Sequence, residues 1–314
     1  MFDIVGKRYW FFGISAVIIL AGVVSLFVFG LKPGVEFSSG SEWTVSFGEN
    51  TTVTKSQLTQ SLAGLGYGGK NVIVRQAGTD YIVDLPQIDD AAKAALRDGL
   101  AAEVGQFRDA GFESVTRESA IGMTRNATIA VVIAAIGMLL YISWAFHKMP
   151  NPIRWGTCAI VALVHDLVVV LGVFALLGGL LGWQVDLMFV AGALTVIGYS
   201  VNDSIVIFDR IRENVRRNPG ADFELLVNHS LVETMSRTLV TGIGTIFVLL
   251  ALIIVVGDPV HNLVVVLLAG VVTGTYSGMC TAAPLLVVWN KGEWGRFIGR
   301  KVPVLKAPAA TPGR

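Results

Sequence analysis

Charge is scarce in this sequence. Asp, Glu, Lys and Arg make up 15% of its 314 residues, where an ordinary soluble domain carries about 25%. Together with a mean hydropathy of +0.65, that scarcity excludes a soluble globular enzyme. Neither sign dominates: 24 basic residues face 23 acidic ones, which excludes a strongly basic nucleic-acid binder. Cysteine is almost missing. Cys158 and Cys280 both lie inside apolar runs, so a disulfide framework and a Cys-rich metal site are excluded. The four histidines, His147, His165, His229 and His261, are scattered, and none has zinc-ligand spacing. No cofactor and no metal are expected, and no nucleophile–base–orienter set points to an enzyme.

What is present is long apolar stretches. A helix needs about 20 mostly apolar residues to cross a bilayer. Six stretches qualify: Tyr9–Leu31, Ala127–Phe146, Trp155–Leu181, Leu187–Phe208, Thr238–Val256 and Leu263–Trp289. The first is longer than a signal-peptide core and lacks a following A-x-A cleavage site, so it reads as a retained anchor. Membrane lipid is therefore the main solvent. Fifteen of the 24 basic residues fall in segments that share one side, among them Lys7, Arg8, Lys148, Arg154, Arg210 and Arg237. The short opposite loops near Gly182–Asp186 and Gly257–Asn262 carry no Lys or Arg. The positive-inside rule then places both termini in the cytoplasm. The chain divides into 1–31 (amino terminus and first span), 32–125 (an extracytoplasmic insert), 126–289 (five spans with a cytoplasmic amphipathic loop at 209–237) and a cytoplasmic tail at 290–314.

The insert has another composition, with 9 basic and 12 acidic residues. Val35, Phe37, Trp43, Val45 and Phe47 share the odd positions, a strand period. Thr54 and Gln57 have capping-box spacing and open a helix to about Leu65. Strands are expected at Val72–Arg75 and Tyr81–Leu85 around a turn at Gly78, a helix at Ala91–Val104 and a last strand at Phe112–Arg117. The order is β-α-β-β-α-β, a small α+β ferredoxin-like domain between the first and second spans. Gly64, Gly66 and Gly69 mimic a nucleotide loop ahead of Lys70, but Asn71 replaces the required Ser or Thr, and the glycines follow a helix. A helix-to-strand turn accounts for them.

Chemistry is expected where ionisable groups enter the spans, because a carboxylate at the bilayer centre costs roughly 2.5–3.5 kcal/mol. Asp166, preceded by His165, lies about 16 Å into the third span at the helical rise. Asp203, preceded by Asn202, lies about 8 Å from the inner end of the fourth. Arg237 opens the fifth, followed by Thr238, Thr241 and Thr245. Asp203 and Arg237 can share a depth on neighbouring helices. Two readings stand open. One is an ion pair that locks two helices, with Asp166 in a polar contact and Arg237 snorkelling to the headgroups. The other is a proton relay. Gly270, Gly274 and Gly278 repeat every fourth residue in the last span, where small residues let helices pack closely, and Thr273, Thr275 and Tyr276 stand among them. The stretch from Asp209 to Met235 is amphipathic: after Asn218-Pro219-Gly220, with Asp222 as a cap, Phe223, Leu226, Val227 and Leu231 keep helical spacing. It reads as an interfacial helix lying on the membrane surface, favoured by its continuous apolar face over a plain solvated connector.

One segment carries a family resemblance. Residues 198–214, GYSVNDSIVIFDRIREN, closely resemble the signature of the SecF family of protein-export membrane subunits. Phe2-Asp3-Ile4-Val5-Gly6-Lys7-Arg8, Gly34-Val35-Glu36-Phe37, Ala162-Leu163-Val164-His165-Asp166, Arg237-Thr238 and Gly274-Thr275-Tyr276-Ser277 are similar to further family motifs. Two places depart from the pattern: Phe37-Ser38-Ser39-Gly40-Ser41 lacks a second glycine, and Thr241-Gly242-Ile243-Gly244-Thr245 replaces a Thr-rich run. The resemblance implies a multi-pass protein of a bacterial-type inner membrane. Its six transmembrane helices would form half of a pseudo-symmetric twelve-helix unit like those of resistance-nodulation-division transporters. It further implies SecD, the SecYEG channel and a translocating preprotein as partners, and the proton-motive force as driver. Asp203 and Arg237 match the family's proton path and Asp166 a family motif position, so the resemblance implies a proton relay of Asp203, Arg237 and Asp166, with Asn202, His165 and Thr241 as supporting polar groups. The rival readings are a small-molecule efflux half-transporter, expected to carry a much larger insert, and a non-transporting assembly factor, in which Asp203 and Arg237 need not titrate.

Overall fold

A computed structural model describes residues 3–48, 53–69, 72–77, 80–147, 149, 151–256 and 260–294. Helix α1, Arg8–Phe29, ends where Gly30 takes a φ of 66°. A short helix α2 (Val35–Ser38) leads into β1 (Gly40–Ser46), α3 (Lys55–Gly64), β2 (Ile73–Ala77), β3 (Asp80–Leu85), α4 (Asp90–Val104) and β4 (Arg108–Val115). Then come α5 (Arg117–Ala145), α6 (Pro152–Leu181), α7 (Leu187–Arg217) and α8 (Phe223–Val256). The last span is α9 (His261–Ser277), a π-helical turn at Gly278–Ala282, and α10 (Ala283–Lys291). Among the described residues six helical segments are long and apolar enough to cross a membrane, and the protein is a multi-pass α-helical membrane protein.

The four strands form one sheet in the order β2-β3-β1-β4, with all neighbours antiparallel. That is the split arrangement of a β-α-β-β-α-β unit. Alternation along the strands sends Trp43, Val45, Tyr81 and Val83 into one core with Leu58 and Leu62 of α3 and Leu96 and Leu100 of α4. The Thr54 capping box forms, with its Oγ1 accepting from the Gln57 N–H and the Gln57 side chain accepting from the Thr54 N–H. Gly66 and Gly69 take φ of 90° and 116° in the turn after α3; Lys70, Asn71 and Gly78 lie outside the described residues.

Three expectations are corrected. Val35 and Phe37 belong to a helical turn, not a strand. The Gly34 N–H donates to Val185 O (2.8 Å) and the Val185 N–H to Lys32 O (2.7 Å), which pins the chain to the loop after α6. It turns into the sheet only at Ser39 and Gly40, with φ of 65° and 141°. A Cβ on Gly40 would lie 2.7 Å from Leu85 O, so the strand begins at a residue that has none. The last strand starts at Arg108, and Arg117 opens α5, because Thr116 caps it by accepting from the Ser119 N–H (3.2 Å). Finally, 209–237 is not a helix lying free on the membrane. Its two halves continue α7 and α8 and pack on each other. Val227 and Leu231 are fully buried with Ile207, Phe208 and Ile211. Arg210 pairs with Glu233 (2.7 Å), and Asn214 donates to Ser230 Oγ (2.9 Å). The apolar face that looked free for lipid is used up inside the protein.

Helices α6, α7 and α9 form the buried centre of the bundle, while α1, α5 and α8 leave large apolar side chains exposed, among them Phe27, Trp144 and Phe247. Glycine sets the closest approach of α1 and α6: a Cβ on Gly172 would lie 2.3 Å from Gly22 Cα. Gln184 Nε2 donates to Asp84 Oδ2 (2.6 Å), and Arg75 joins Asp84 to Glu42 (2.8 and 2.7 Å), so the sheet unit is tied to the loop between α6 and α7. The π turn ends at Ala282, two residues before Pro284, which has no N–H for the helix ladder, and the widened turn accommodates that gap.

Candidate functional site

On α7 the buried face repeats at Ser200, Asp203, Ser204 and Ile207, the spacing of one helix side. This face meets α6 and α9. Asp166 of α6 is wholly buried there. Its Oδ2 accepts from Ser200 Oγ of α7 (2.5 Å) and from Ser277 Oγ of α9 (2.7 Å), and its Oδ1 lies 3.0 Å from His165 Nδ1. One carboxylate thus joins three spans.

Asp203, one turn further along α7, is 5% exposed, and its Oδ2 has no hydrogen-bond partner among the described residues. Arg237 of α8 is within electrostatic reach of it, yet no ion pair joins the two. Arg237 and Thr241 sit on the exposed side of α8, and Thr241 Oγ1 donates to Arg237 O (2.9 Å). Asn202 points to the exposed side of α7. The fold therefore gathers His165 with Asp166 and brings Arg237 near Asp203, but Asn202 and Thr241 do not hydrogen-bond to either carboxylate.

Asp203 Oδ2 is not alone. Among the described residues His165 Nε2, Ser204 Oγ, Tyr199 OH and Thr275 Oγ1 are also buried without a well-formed hydrogen bond, although Tyr199 OH lies in reach of the Thr275 and Thr245 hydroxyls. Buried polar atoms are rarely left unpaired, and leaving one so costs about 1–3 kcal/mol. Here they concentrate on α6, α7 and α9. Beside them Tyr276 OH donates to Phe11 O (2.8 Å) and ties α9 to α1.

The glycines work within the chain. A Cβ on Gly270 would lie 2.0 Å from Val196 Cγ2, and one on Gly274 would lie 3.2 Å from Ser200 Cβ, both on α7. At Gly278 the nearest atom, Ser204 Oγ, would be 3.6 Å away, an ordinary contact. Ser200 and Ser277, the partners of Asp166, were not singled out from the sequence. Their signal is spacing: Ser200 stands three residues before Asp203, and Ser277 three after Gly274. Among the described residues no three His, Cys, Asp or Glu side chains group so as to hold a metal ion.

Comparison with known proteins bears on this arrangement. The family model described as protein export membrane protein SecD/SecF, C-terminal, matches residues 98–292. The protein translocase subunit SecF of Thermobaculum terrenum is 37% identical over 312 residues, covering 96% of this chain and 98% of its own. That of Anaerolinea thermophila is 37% identical over 305 residues, with the same coverage of 96% and 98%. The crystal structure of SecDF, a translocon-associated membrane protein from Thermus thermophilus, matches with a TM-score of 0.83 at 28% identity, over 92% of this chain and 38% of that one. Matches of this length, running through the sheet unit and all six spans, mean that the chain belongs to the SecD/SecF family of protein-export membrane proteins.

Proposed function

We propose that the chain is the SecF half of a SecD–SecF unit that uses the proton-motive force to promote preprotein passage through SecYEG. The Thermus SecDF chain supports the pairing, since this chain accounts for 38% of its length. Six spans then supply one half of a twelve-helix unit in a bacterial-type inner membrane. In this reading both termini and the α7–α8 hairpin face the cytoplasm, and the sheet unit faces outward.

The observation that carries the proton reading is Asp203: a buried carboxylate with one oxygen unpartnered, near an arginine it does not pair with. Adding a proton cancels its charge and its attraction to Arg237, and losing the proton restores both. The balance between α7 and α8 is thereby coupled to protonation, a local charge change acting on two packed helices.

The test is preprotein translocation into inverted vesicles with and without an uncoupler. Asp203→Asn keeps shape and hydrogen bonding but cannot change charge. It should insert and retain SecD yet lose the uncoupler-sensitive increment, and Arg237→Ala should do the same. If Asp203→Asn keeps that increment, the Asp203–Arg237 arrangement is structural.

A further inference from the structure

Among the described residues the bundle buries two carboxylates, Asp166 and Asp203, and they are in opposite conditions. Asp166 has both oxygens engaged: two serine hydroxyls donate to one and the His165 ring nitrogen meets the other. Asp203 has an oxygen with nothing. We infer that Asp166 is a positioning residue that holds α6, α7 and α9 in register through Ser200 and Ser277, while Asp203 alone exchanges the proton.

The geometry supports that division. Ser200 is both a donor to Asp166 and the residue that Gly274 of α9 approaches most closely. The hydrogen bonds therefore lock α7 against α9 where Gly274 brings the two backbones close, a Cβ there lying 3.3 Å from Ser200 Cα, one helical turn from Asp203. A proton on Asp166 Oδ1 would only reverse the bond to His165 Nδ1 and leave both serine hydrogen bonds to Oδ2 in place, so protonation there would not release the helices that this wholly buried carboxylate joins. An amide fits the same site. The oxygen of an Asn accepts from both serines, and its NH2 donates to His165 Nδ1 in the other ring tautomer.

The inference rests on the proton reading of Asp203, and the same vesicle assay separates the two. Asp203→Asn should abolish the uncoupler-sensitive increment. Asp166→Asn, inserted to the same level, should keep most of it. Asp166→Leu, which offers the serines no acceptor, should lose about tenfold, and Ser277→Ala several-fold, as expected for hydrogen bonds to a buried charge. Should Asp203→Asn stay active, the proton reading falls. Should Asp203→Asn and Asp166→Asn be equally inactive, only the positioning role falls, and wild-type activity in both Asp166→Leu and Ser277→Ala would overturn it too. A measurement on the unaltered chain guards against a variant that fails to insert. A lipid-soluble carbodiimide, which attacks carboxyls that take up a proton, should modify Asp203 and spare Asp166 by mass spectrometry. Modification of Asp166 would overturn the assignment.

Discussion

Asp109 sits where the β1–β4 pairing slips between Thr44 and Val45. There its Oδ1 accepts from the indole N–H of Trp43 (3.0 Å), and its Oδ2 pairs with Lys93 (2.7 Å). Trp43 is fully buried, so its N–H needs that partner. Partial burial pushes the Asp109 carboxyl up, but the hydrogen bonds from Lys93 and Trp43 outweigh it and hold the group below its ordinary 3.8. A lowered folded value means that the stabilisation is complete above the ordinary value and drains away as pH falls through the folded one. Hydrogen exchange of the β1 and β4 amides in the full chain should therefore show a wild-type advantage over Asp109→Asn at neutral pH that narrows below about pH 4. An advantage independent of pH would contradict it. Asp109→Ala also strands the Trp43 N–H, which should add about 1–3 kcal/mol to the cost of Asp109→Asn and persist at low pH. None of this was visible in the sequence, because the bulge that aims Asp109 at Trp43 arises from pairing between strands 66 residues apart. The same holds in the bundle. Asp166 and Asp203 stand out as carboxylates in apolar runs, but the hydroxyls that engage one and leave the other unpaired depend on how three helices are rotated.

At the scale of elements, the contact of α7 with α9 is governed by side-chain volume. Gly270 faces Val196, a branched side chain held to one main rotamer in a helix, with a built Cβ only 2.0 Å away. Gly274 faces Ser200 at 3.2 Å, and Gly278 has only ordinary contacts, 3.6 Å or longer. Alanine in place of helical glycine gains about 1 kcal/mol of propensity, while overpacking costs about 1–3 kcal/mol. The thermal midpoint of the detergent-solubilised chain should accordingly fall for Gly270→Ala, rise slightly for Gly278→Ala, and drop sharply for Gly274→Leu. Equal midpoints across the series would mean that α9 does not pack on α7 at this face. Long apolar runs made the six spans legible, since length and hydropathy are local properties. The strands were legible from alternation, but the turn at Val35–Phe37 was not, because it is set by backbone bonds to Val185. The 209–237 stretch was misread for a related reason: a hydrophobic face shows that something covers it, and here the cover is the neighbouring helix rather than lipid.

For the whole molecule, orientation and work are the testable quantities. A cysteine at Gln60, exposed on α3, should react with a membrane-impermeant thiol reagent once any outer barrier is opened, and one at Asn218 should not; the reverse pattern would invert the topology. The work available per proton is bounded. One charge moved through 100 mV is worth about 2.3 kcal/mol, which shifts a two-state equilibrium roughly 50-fold at tenfold per 1.36 kcal/mol. Under the proposed function, that suffices to bias the sheet unit, tied to the bundle through Asp84–Gln184, between two poses. It falls short of the 5–15 kcal/mol that hold a typical folded domain, so a single step cannot unfold one. The proposed proton use therefore predicts repeated cycles per preprotein, each gaining a little against back-sliding. The uncoupler-sensitive increment should then grow with preprotein length, compared among unfolded cargoes that differ only in the number of identical inserted segments. In Asp203→Asn the dependence on length should flatten to that of uncoupled wild type. An increment that is present but independent of length would mean one proton-driven event per preprotein, a trigger instead of a repeating motor.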